Sequence, residues 1–165
     1  MYPYLRNESD EEEFNAIFDV ACKLFSKRAS TRNKAADKLA GMGKKAVRPL
    51  ACTLERAIWK GMSDDDLEAL TGDVEDILVK IGEDVLPDLE YFATAAICKM
   101  YINEFAQEAI FKVMGLEGND KRKVCKHLIK ALIEQGKKKT WRCMFCDAEF
   151  ECKKGKRIGN MIGED

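Results

Sequence analysis

Apolar residues recur at helical spacing along most of the chain. Phe14, Ile17, Phe18, Ala21, Leu24 and Phe25 fall three and four apart, which puts them on one stripe of an α-helix. Ser9 and Glu12 stand ahead of that stripe at capping-box spacing, and the acidic residues 10–13 suit the positive end of a helix. STRNKAADKLAGMGKKAVRPLACTLERAIW then reads as a helix ending at GMG, a tight turn, and a second helix with Val47, Leu50, Ala51, Leu54 and Ile58 on its inner face. Pro49 falls in the first turn of that helix, where a missing amide hydrogen costs little. Ser63 and Asp66 suit another helix start, and Leu67, Leu70, Val74, Ile77, Leu78 and Ile81 form a stripe that runs to the IGED turn, with VLPDLEYFA as its partner helix. A looser third unit carries Ile97, Tyr101, Phe105, Ala109, Ile110 and Val113 up to Gly115. It continues through LEGND into a predicted helix bearing Val124, Leu128, Ala131 and Leu132 that stops at Gly136.

The units repeat. Asp37, Leu39, Met42, Gly43, Val47 and Leu50 are matched 39 residues later by Asp76, Leu78, Ile81, Gly82, Leu86 and Leu89, with Pro87 one position out of register with Pro49. Through KAADKLAGMGKKAVRPLACTL and VEDILVKIGEDVLPDLEYF, with AQEAIFKVMG as a partial echo, the chain resembles the HEAT-like helical repeats, including the short variety of phycobilisome-lyase-type proteins. The resemblance implies an all-α fold, a short right-handed α-solenoid of about seven helices in antiparallel pairs. It also implies binding surfaces on the stack, and it brings no catalytic residue to this chain. The expected organisation is a repeat domain over residues 1–136 and a basic, cysteine-containing appendage over 137–165, either a small β-hairpin or a tail.

Charge sharpens that division. Of 28 Lys/Arg and 29 Asp/Glu, residues 120–165 hold 13 and 7, so a basic end follows an acidic body. Such asymmetry suits a segment that meets a polyanion or an acidic surface, and equally a solvated tail. On the nucleic-acid reading, Lys121, Arg122, Lys123, Lys126 and Lys130 lie along the last predicted helix. Lys137, Lys138, Lys139 and Arg142 continue the basic run, and Lys153, Lys154, Lys156 and Arg157 follow the last cysteine. Trp141, Phe145 and Phe150 offer stacking faces among them. No apolar run approaches the roughly 20 residues of a membrane span, and MYPYLRNESDEEEF lacks the apolar core of a signal peptide. With an odd number of cysteines, seven, the expectation is a cytoplasmic, reducing setting without membrane attachment. Cys22, Cys52, Cys98 and Cys125 stand singly and read as small core residues.

Enzyme signatures are absent: no GxSxG, HExxH, phosphate-binding loop or dinucleotide fingerprint occurs. No catalytic residue is assigned. Consecutive carboxylates 64–66 diverge around a helix and read as a helix start, Trp59 as a packing residue, and the single histidine, His127, as a surface or boundary residue. The exception to this plainness is WRCMFCDAEFEC. Its CxxC, with an aromatic two before the first cysteine and four after the second, is similar to the first half of a zinc finger or ribbon. Cys143, Cys146 and Cys152 are the expected zinc ligands, leaving a fourth position to His127, Cys125, an acidic residue, water or another chain. A redox pair and an unliganded hairpin are the competing readings. The function expected is that of a non-enzymatic scaffold binding a protein partner through its helices, the alternative being a nucleic-acid-binding accessory protein.

Overall fold

The computed structural model describes residues 8–94, 100–125, 130–135, 138–143, 146 and 148–151. The chain is mainly helical and divides into two compact units, Met1–Glu117 and Gly118–Asp165. The break therefore falls well before residue 136, for a reason given by the second unit.

Within the first unit, α1 spans Glu8–Ala21, α2 Ala29–Gly41, α3 Val47–Trp59, α4 Asp64–Ile81, α5 Leu86–Thr94 and α6 Met100–Val113. The stripe on α1 runs on through a 3-10 turn, Cys22–Phe25. The start of α4 is set by Ser63, whose hydroxyl oxygen accepts the Asp66 amide hydrogen at 3.3 Å while the hydroxyl donates to the Asp66 carboxylate at 2.7 Å. Asp64, Asp65 and Asp66 are exposed in its first turn, as an N-terminal cluster should be. Gly43 and Gly82, matched in the repeat, both sit at turns with positive φ, 62° and 89°. That is backbone a side chain rarely tolerates. Pro49 and Pro87 each lie in the first turn of a helix, α3 and α5.

The expected stripes are the core. Phe14, Ile17, Phe18, Ala21 and Leu24 are buried, as are Val47, Leu50, Ala51 and Leu54 on α3 and Leu70, Val74, Ile77 and Leu78 on α4. Phe105, Ala109 and Ile110 are buried on α6, and each large aliphatic side chain so placed contributes about 1.5–3 kcal/mol. Helices also meet their second neighbours: α1 packs on α3 and α3 on α5, while α2 packs on α4 and α4 on α6. Polar pairs stitch the same steps. Lys80 Nζ lies 3.7 Å from Asp37 and Arg32 Nε 4.0 Å from Asp73 between α2 and α4, and Arg48 Nε lies 3.4 Å from Asp88 between α3 and α5. Between α4 and α6, Lys112 donates to the buried Glu75 carboxylate, and the hydroxyls of Thr71 and Tyr101 are 2.6 Å apart. Hydrogen bonding to Glu75 is the main cause that raises the Lys112 pKa, whereas burial raises that of Tyr101.

In the second unit α7 is a single turn, Lys121–Val124, and the chain at Cys125 is already extended (φ −64°, ψ 127°). Three strands follow, β1 Lys130–Gln135, β2 Lys138–Cys143 and β3 Glu149–Glu151, forming an antiparallel sheet in the order β1-β2-β3. The helix expected to carry Leu128, Ala131 and Leu132 to Gly136 is thus corrected. Ala131 and Leu132 do have helical spacing from Val124, but KALIEQ pairs with KKTWRC, and a full strand ladder outweighs a weak local preference. Leu132, Trp141 and Phe150 fall in one row of the register across the three strands.

Candidate metal centre

Two short features bring cysteines together. Cys143 ends β2, and its amide donates to the Ala148 carbonyl at 3.0 Å, which closes the β2–β3 connection containing Cys146. Cys125 directly follows α7, its amide held by the Lys121 carbonyl at 2.9 Å. Arg122 Nε, from the same turn, donates to the Cys146 carbonyl at 3.2 Å and so fixes the connection against α7.

The sulfurs of Cys125, Cys143 and Cys146 all lie within 4.8 Å of one another, and the Cys125 and Cys143 sulfurs are 3.5 Å apart. That separation is far beyond a disulfide bond of about 2.05 Å. It is close to the edge of a zinc–thiolate tetrahedron, about 3.8 Å for Zn–S bonds of about 2.3 Å. Among the described side chains of the unit these three are the buried ones. Three buried cysteines therefore lie close enough to bind one metal ion. Their burial excludes competing water, and the anchored connection lowers the reorganisation needed on binding. A thioredoxin-like reading has less to stand on, because this CxxC lies between antiparallel strands and not at a helix start.

Of the expected ligands, Cys143 and Cys146 are brought together, while Cys152 lies outside the described residues, as does His127. Cys125, read from the sequence chiefly as a core residue, joins the cluster. The signal for it was the hairpin: pairing Lys130 with Cys143 puts the start of β1 at the thiol end of the sheet. Cys52 is buried against Phe14 and Phe18, in keeping with a core role. Cys22 is half-buried and 3.5 Å from the Arg56 guanidinium, and desolvation raises its pKa, so it is a poor nucleophile at neutral pH. Cys98 lies outside the described residues.

The basic residues divide. Arg122 and Lys123 are exposed, but Arg122 holds the Cys146 carbonyl and Lys123 lies 2.9 Å from Asp120. Lys121 and Arg142 are half-buried, and Lys130, Lys138 and Lys139 occupy strand positions, Lys139 opposite Glu134. Lys126, Lys137, Lys153, Lys154, Lys156 and Arg157 lie outside the described residues, as does Phe145. Trp59, expected to pack, is instead 72% exposed at the end of α3. Among the described residues no helix is long and apolar enough to cross a membrane. No protein-family model, curated protein or solved structure matches the chain.

Proposed function

We propose that the protein is a non-enzymatic interaction scaffold, a short HEAT-like stack that docks a protein partner, carrying a small C-terminal module held by zinc. The observation that carries this reading is the packing of each helix of the first unit on its second neighbour, in step with a 39-residue sequence repeat. The polar pairs support it: Arg48 with Asp88 and Glu75 with Lys112 bridge separations of 40 and 37, close to one repeat. Matched glycines with positive φ at Gly43 and Gly82 fit the same grammar. Exposed Trp59 supplies an aromatic anchor of the kind that dominates binding energy at interfaces. The thiol cluster suits zinc in a reducing cytoplasm, where such cysteines escape oxidation. A nucleic-acid role has weaker support, because Arg122 and Lys123 are engaged locally.

The test is affinity purification of the full chain alongside Trp59→Ala. The scaffold reading expects a stoichiometric protein partner whose recovery falls at least about tenfold with Trp59→Ala, the loss of about 1.4 kcal/mol or more typical of an anchor residue. Turnover of a small substrate by the purified chain, with no partner recovered, refutes it.

A further inference from the structure

Resting on the zinc reading above, we infer that Cys125, Cys143 and Cys146 are the three thiolates of one zinc centre, that Cys152 is not among them, and that the ion ties the end of α7 to the β2–β3 connection. The sheet register carries the argument. Cys143 stands at the end of β2, and β3 runs away from it: Glu149 pairs with Arg142, Phe150 with Trp141 and Glu151 with Thr140. Thr140 is three residues from Cys143, about 10 Å along a strand. A ligand at position 152 would require the chain to double back over that length from Glu151. Cys125 needs no such excursion, because its sulfur already lies 3.5 Å from that of Cys143.

The consequence is topological. α7 is one turn long and cannot hold itself in place, since a single helical turn is unfavourable without tertiary support. Among the described residues, the Arg122 hydrogen bond and the thiol cluster link this turn to the β2–β3 connection. An ion on those thiols displaces three S–H protons to solvent, forms three metal–sulfur bonds and reinforces the joint that the Arg122 hydrogen bond already makes between the two segments. A unit as short as Gly118–Asp165 gains little stability from apolar burial alone, so metal binding strongly supports its folding. Three thiolates occupy three of the four positions of a tetrahedral ion and leave one for a further donor.

Native mass spectrometry of the full chain, purified with zinc, tests both levels. Absence of zinc from the unaltered chain refutes the zinc reading itself. With one zinc per chain, the ligand assignment expects Cys152→Ser to keep the metal and Cys125→Ser to bind it more weakly by about 100-fold or more. Retention of normal affinity by Cys125→Ser, or its loss in Cys152→Ser, overturns the assignment while leaving the zinc reading intact. Because a serine variant can lose its fold, Cys125→His is measured after substitution of cobalt. The expected result is a tetrahedral cobalt spectrum with the sulfur-to-cobalt charge-transfer absorption lowered by about one third. Unchanged charge-transfer intensity in Cys125→His also overturns the assignment.

Discussion

The same methyl group, added at two glycines ten residues apart, should move stability in opposite directions. Gly72 lies in the interior of α4 and Gly82 directly after its end, and a Cβ at either site meets no atom within 4 Å. Packing therefore cancels from the comparison, leaving the backbone. At Gly72 the conformation is helical, so alanine removes unfolded-state freedom without strain and stabilises by about 0.5–1 kcal/mol. At Gly82 the backbone has φ 89° and ψ −160°, a region that essentially only glycine occupies. Gly82→Ala must either hold that conformation, at a cost of about 1–3 kcal/mol, or displace the 3-10 turn Glu83–Val85 that delivers the buried Val85. Urea unfolding followed by helical circular dichroism at 222 nm reads both. The expected gap between the variants is about 1.5–4 kcal/mol, or on the order of 10 °C in midpoint temperature for a unit of this length. Two shifts of the same sign, or a neutral Gly82→Ala, would refute the claim that turn conformation and not space dictates glycine at position 82.

Two further predictions concern the polar seam between α4 and α6. Lys112→Met should destabilise by about 1–3 kcal/mol, because it strands the buried Glu75 carboxylate, and adding Glu75→Gln should recover part of the loss in a double-mutant cycle. Alkaline conditions should weaken the same seam. The Tyr101 hydroxyl titrates above its usual 10.0 in the folded state and the Lys112 ammonium above 10.5, so each contributes stability that is complete below its unfolded value and is lost as pH rises through the folded one. Urea midpoints measured from pH 9 to 12 should therefore fall, and Tyr101→Phe should flatten the tyrosine part of that decline; an unchanged slope in Tyr101→Phe would exclude it.

Much of the helical body was legible in the sequence because its signals are local and redundant. Ser63 with Asp66, the stripe from Leu67 to Ile81 and the glycine at position 82 each mark α4 independently, and they agree. The stripes of α1 and α3 were equally plain, since an amphipathic helix carries its packing face in its own spacing. Trp59 shows the limit of such reasoning: spacing identifies the stripe of a helix but not how far a side chain in its last turn is covered, and Trp59 is 72% exposed. The partners of polar residues were also out of reach, because a carboxylate such as Glu75 looks like any surface acid until α6 brings Lys112 against it.

The thiol centre was half legible for a different reason. The CxxC announces two neighbouring thiols because a tight connection aims both at one point, but Cys125 joins them from another segment, and that depends on strand pairing. The sequence groups Cys152 with the CxxC by proximity alone, and Cys152 lies outside the described residues. Once Lys130 pairs with Cys143, the start of β1 shares the thiol end of the sheet, whereas Glu151 lies three register positions away at Thr140. Distance along the chain is a poor guide to the third thiol: Cys125 is 21 residues from Cys146, yet its sulfur lies within 4.8 Å of both others. A segment of ambiguous period beside a lone CxxC is therefore the place where helix and strand should be weighed by asking which choice completes the ligand set.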